Sequence, residues 1–172
     1  MVRMKPGAIG MKALRIAVTA LIVLLPLTAE VLAEDTTLQW LRDPASKCRF
    51  VAPASLTPGP TYWTGDCPDG KASGLGMLRR RDGNRSGFAF YGEMRDGVPT
   101  LGVIDLDGGY KVGKFTGGDI GEDDLEWQPR LDAFNSAVNA ARAVSKHYAA
   151  EKNSASAHHY ESVAKTLEMQ IE

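Results

Sequence analysis

Glycine recurs in this chain at a spacing that leaves few folds open. Three times a glycine is followed by an apolar residue two places on and a second glycine three places later. The copies are Gly65–Cys67–Gly70, Gly92–Met94–Gly97 and Gly113–Phe115–Gly118. Trp63 and Phe90 stand two places before the first two copies, whereas in the third Tyr110 is one place off register and Lys111 holds that slot. Alternate residues of a strand face the same side, so aromatic, glycine and apolar residue share a face. A glycine there has no side chain, and a neighbouring ring can lie across its backbone. Asp69-Gly70 and Asp96-Gly97 are short-turn signals, because glycine accepts positive φ without steric cost. Return strands follow at Leu75-Gly76-Met77-Leu78 and Leu101-Gly102-Val103-Ile104, and residues 79–87 (RRRDGNRSG) and 105–109 (DLDGG) read as loops between copies. The pattern predicts a series of antiparallel β-hairpins.

Residues 63–78, WTGDCPDGKASGLGML, resemble the MORN repeat, whose unit reads roughly aromatic-x-Gly-x-aromatic-x-x-Gly-x-x-x-Gly-x-Gly. Trp63, Gly65, Gly70, Gly74 and Gly76 fall on its positions. Residues 90–104 form a degenerate second copy through Phe90, Gly92, Met94 and Gly97, and residues 111–121 a poorer third through Gly113, Phe115 and Gly118. Cys67 and Met94 stand where the unit has its second aromatic; Phe115 keeps it. The copies are 27 and 21 residues apart, and the resemblance covers about 60 of 172 residues. It implies a curved, elongated sheet of stacked hairpins, with roles in protein–protein contact and association with phospholipid headgroups rather than catalysis.

The beginning of the chain has a different character. Arg3, Lys5, Lys12 and Arg15 precede an uncharged run, Ile16–Leu27, and then Val31-Leu32-Ala33. Charge, apolar core and small residues in that order predict a secretory signal peptide over residues 1–33, cleaved after Ala33. The apolar core of twelve residues is short against the ~20 needed to cross a bilayer as a helix. Cleavage removes four basic residues and one acid, leaving 16 basic and 20 acidic residues and a formal net charge of −4. A mildly acidic exported chain is a poor candidate for binding nucleic acid, which needs concentrated positive charge. In an oxidising compartment the two cysteines, Cys48 and Cys67, read first as a disulfide. A reactive thiol would want a nearby histidine, and His147, His158 and His159 all lie far downstream. The pair predicts a staple between an N-terminal strand and the first hairpin, with 53–60 (PASLTPGP) as the connecting loop.

From Pro129 onward glycine gives way to alanine. Leu131, Phe134, Val138, Ala141 and Tyr148 recur at helical spacing, with Val144 beside the one gap, and a second phase runs through Tyr160, Val163, Leu167 and Ile171. Asn153-Ser154 marks a candidate break, with one long helix as the alternative. The first helix is expected to cover the sheet; the last is expected to protrude or to meet a partner, including another copy. The expected fold is therefore α+β: a MORN-like antiparallel hairpin sheet over residues 34–126, then a helical segment over 127–172.

Signatures of catalysis are missing from the sequence: it contains no HExxH, GxSxG, phosphate-loop or paired CxxC motif. Asp105-Leu106-Asp107-Gly108 begins like a calcium loop but lacks the later ligands, even with Asp119, Glu122, Asp123 and Asp124 nearby. His158 and His159 are adjacent, so on a helix they diverge by about 100° and do not chelate one metal. Arg79, Arg80 and Arg81 form the basic concentration most suited to anionic lipid headgroups. The sequence thus predicts a non-enzymatic periplasmic or secreted interaction module that needs no cofactor or metal, its partner a protein or envelope component. An anionic-lipid-binding module is the alternative, and a small hydrolase using acids from 105–126 a further one.

Overall fold

The computed structural model describes residues 38–56, 59–121 and 125–171. The expected signal segment 1–33, its expected cleavage point and the acids Glu122, Asp123 and Asp124 lie outside them. The chain divides into two units, Met1–Asp35 and Thr36–Glu172, and the second holds all the described elements. Two short strands, β1 (Trp40–Arg42) and β2 (Arg49–Val51), come first. A meander follows: β3 (Thr61–Asp66), β4 (Ser73–Asp82), β5 (Arg85–Arg95), β6 (Val98–Leu106), β7 (Gly109–Thr116) and β8 (Asp119–Ile120). Two helices close the chain, α1 (Trp127–Ala150) and α2 (Ser154–Glu168). The architecture is α+β, and every neighbouring pair in the six-stranded sheet is antiparallel.

The three glycine copies build the turns at one end of this sheet. Each closes on two successive residues of left-handed backbone: Asp69 (φ 52°) with Gly70 (73°), Asp96 (50°) with Gly97 (86°), and Gly117 (61°) with Gly118 (88°). The stretches 79–87 and 105–109 are not the loops expected. β4 and β5 run through most of the first and meet at a two-residue turn, Gly83-Asn84; β6 and β7 turn at Asp107-Gly108. Charged residues looked like loop because each strand here needs apolar side chains only where a face is covered.

Register puts the remaining repeat glycines in a row. Gly76 pairs with Gly92, Gly92 with Gly102, and Gly102 with Gly113. Trp63 lies across Gly65 and Gly76, and Phe90 across Gly92 and Gly102: a Cβ built on Gly76 would fall 2.4 Å from the Trp63 ring, and one on Gly92 2.7 Å from Phe90. The Trp63 indole N–H donates to the Asp66 carbonyl at 2.9 Å. In the third copy no ring covers Gly113. Leu125 and Ile120 fill that space, and the one-place slip sends Tyr110 to the opposite face, where it meets Phe134 edge-on.

Both faces of the sheet are covered. On one lie Met77, Tyr91 and Val103 against the helices; on the other, Leu78, Phe90 and Ile104 against the β1–β2 segment with Phe50 and Leu56. α1 brings Ala133, Ala137, Ala140 and Ala141 to the sheet, small side chains that let its backbone come close, with Phe134, Val138 and Val144 between them. The break falls at Asn153, whose side chain accepts the Ser156 N–H at 3.1 Å and caps α2. The expectation that the last helix protrudes is corrected. α2 folds back and buries Tyr160, Ala164 and Leu167 in the same core, Tyr160 stacks on Tyr148, and Ser145 donates to the Ala157 carbonyl at 2.8 Å. Its apolar stripe was too narrow to reveal by itself whether it met this chain or another.

Candidate functional site

The N-terminal ribbon is strapped across the repeat turns. Cys48 and Cys67 form the predicted disulfide, with Cα atoms 6.1 Å apart. From there the strap meets each turn in order. Ala72 N–H donates to Arg49 O at 3.0 Å, and Val51 N–H to Gly97 O at 2.7 Å. Val51 then packs on Gly118, and Ala54 N–H reaches the Asp119 carboxylate at 3.1 Å. A side chain at Gly97 or Gly118 would collide with this strap: a Cβ would sit 2.6 Å from the Trp40 ring or 2.5 Å from Val51. The last glycine of a copy therefore serves both the turn and the close crossing.

Asp43 locks the strap to the edge of the sheet. It is 2% exposed, and its carboxylate accepts three backbone N–H groups, from Ala45 (2.7 Å), Ser46 (2.9 Å) and Trp63 (2.7 Å). The reading of the sequence missed this residue, although Asp43-Pro44-Ala45-Ser46 has the composition of a turn in which aspartate holds its own backbone.

The outward face of the ribbon carries Trp40, Arg42 and Arg49. Trp40 is 37% exposed; the Arg49 guanidinium lies 5.2 Å and the Lys71 ammonium 5.7 Å from its ring centre. Arg42 and Arg49 are directly opposed across the two strands, an arrangement of like charges that destabilises a sheet. Among the described residues neither they nor Lys71 form an ion pair. The second exposed tryptophan, Trp127 (64%), opens α1, while Trp63 is buried.

The arginine triplet is dispersed rather than gathered. Strand alternation sends Arg79 toward the helices, where it is 9% exposed, bonds the Tyr91 hydroxyl and lies 5.9 and 5.8 Å from the Tyr91 and Tyr160 rings. Arg80 points to the other face, paired with Asp82, and its buried Nε has no hydrogen-bond partner. Arg81 is exposed over Tyr62. Around Arg79, burial pushes the phenols of Tyr91, Tyr110 and Tyr160 above their ordinary range, with Arg79 opposing the rise at Tyr91 and Tyr160. Burial also raises the Asp105 carboxyl, against the attraction of Arg79.

Of the described acids of 105–126, Asp119 binds the strap, while Asp105 faces Arg79 and lies close enough to Asp107 to feel its charge; among the described residues no three His, Cys, Asp or Glu side chains are grouped to hold a metal ion. An open concavity of about 330 Å³ between the far-end turns is lined by Arg80, Asp82, Arg85, Phe88, Asp105 and Asp107, of mixed charge. Among the described residues no helix is long and apolar enough to cross a membrane. Comparison with protein-family models, with curated proteins and with solved structures finds no match.

Proposed function

We propose that the chain is an exported, MORN-like interaction module of the cell envelope, working in the periplasm or outside the cell as a scaffold rather than an enzyme. The observation that carries this reading is the placement of its tryptophans. Two of three stand exposed, one beside unpaired cations; among the described residues the other large apolar side chains this exposed are Leu75 and Met169. Exposed tryptophan and arginine are the side chains that dominate protein–protein interfaces. The disulfide suits an oxidising compartment. The shared turn geometry of three copies and the row of overlaid glycines support descent of the hairpins from one repeated unit.

Site-specific photocrosslinking in intact cells tests this. A photoreactive residue at position 40 or 127 is expected to capture a discrete protein partner, and one at the exposed Lys146 is not. Capture at none of the three positions, or equally at all three, contradicts the reading.

A further inference from the structure

We infer that the free edge of β1 is a docking site for an extended, acidic segment of a partner protein, which adds to the ribbon as a third strand. The inference rests on the interaction-module reading and names the partner's chemistry. Its basis is the direction of the backbone. β2 spends its outer edge on the repeat turns: Arg49 O and Val51 N point away from β1, to Ala72 and Gly97. Residues of a pair whose backbone groups point outward on one strand do so on the other as well. Trp40 pairs with Val51 and Arg42 with Arg49, so the N–H and C=O groups of Trp40 and Arg42 point out of the opposite edge. Among the described residues no hydrogen bond engages them.

Side chains at that edge choose the ligand. Pairs of this outward-pointing kind bring side chains closest; Arg42 stands directly opposite Arg49, whose guanidinium lies by the Trp40 ring. Guanidinium forks bind carboxylates in a bidentate manner. An incoming strand that carries acids on alternate positions puts them all on the Arg42–Arg49 face, relieving the opposed charge, and presents its other side chains toward the Leu41 face. Main-chain bonds supply affinity and the alternate side chains selectivity, the established economy of strand addition to a sheet edge. A lipid surface or a polyanionic glycan would satisfy the cations but has no use for the outward N–H and C=O groups.

Calorimetric titration of the disulfide-intact full chain tests the proposal with a blocked octapeptide of alternating glutamate and valine. The same peptide N-methylated at alternate residues, a polyuronate, and vesicles containing anionic phospholipid serve as comparisons. The plain octapeptide is expected to bind, with affinity reduced about tenfold or more by N-methylation, which leaves charge intact. Joint Arg42→Glu and Arg49→Glu replacement is expected to reduce it as much. No binding of the plain peptide, equal binding of the methylated one, or stronger binding of polyuronate or vesicles overturns strand addition. Because N-methylation alters only the ligand, a misfolded variant does not obscure the result. A null titration together with crosslinking from position 127 would remove this inference while leaving the interaction module in place.

Discussion

Gly92 and Gly70 belong to neighbouring copies of one pattern, yet they resist substitution for different reasons. At Gly92 a Cβ would lie 2.2 Å from the Leu101 carbonyl oxygen, and backbone cannot move aside cheaply. At Gly70 a Cβ meets nothing, but φ is 73°. Gly92→Ala is expected to cost about 3 kcal/mol by overpacking, and Gly70→Ala about 1 kcal/mol of left-handed strain. Urea unfolding of the two variants checks the order; equal losses would contradict the packing of Phe90 over the glycine row. The buried tyrosines give a second expectation, in pH. Tyr91 is held protonated in the folded chain by burial, so above the phenol's ordinary pKa of about 10 the unfolded chain releases a proton that the folded chain keeps. Stability is unaffected near neutrality and falls as pH rises past about 10, by up to ~1.4 kcal/mol per pH unit for each such group. Tyr91→Phe should flatten that slope. Asp105, also raised by burial, has the same sign in the carboxylate range: stability is lost as pH rises through it. Asp105→Asn is expected to stabilise the chain at neutral pH, by about a few tenths of a kcal/mol given the half-exposed side chain, with no difference below about pH 3.

Among the elements, the strap and the second helix each have one local device whose removal can be measured alone. The Cys48–Cys67 bond closes a loop with a sequence separation of 19, and joint replacement by serine is expected to cost about 3 kcal/mol. Amide exchange should then rise first at Val51, whose N–H is bonded to Gly97 across the strap; protection unchanged there would show that Asp43 alone secures the ribbon. Asn153→Ala removes the α2 cap and is expected to cost about 1 kcal/mol. The hairpins were legible because glycine and aspartate at the turns have a local steric cause that needs no partner. Strand lengths were not: Arg79 to Asp82 looked like loop, since the neighbours that make a charged strand stable lie on β3 and β5.

For the whole molecule, the two layers that flank the sheet make one folded unit of residues that looked separable. α1 and α2 share a core with Met77, Tyr91 and Val103, so truncation at residue 126 is expected to leave an aggregating sheet rather than a stable domain. Soluble, cooperative unfolding of residues 34–126 alone would contradict this. The sequence by itself determined whatever rests on neighbours along the chain: left-handed turns at Asp-Gly, alternation that sets ring, glycine and apolar residue on one face, helical spacing after Pro129, and a cysteine pair close enough to join. Only the tertiary structure decided what each exposed face would meet. It turned α2 inward, buried Arg79 between tyrosines, and laid the ribbon over the turns with Trp40 and two opposed arginines outward. The physical reason is that burial is a property of surfaces assembled from distant segments, and a local pattern records which side chains share a face without recording what covers it.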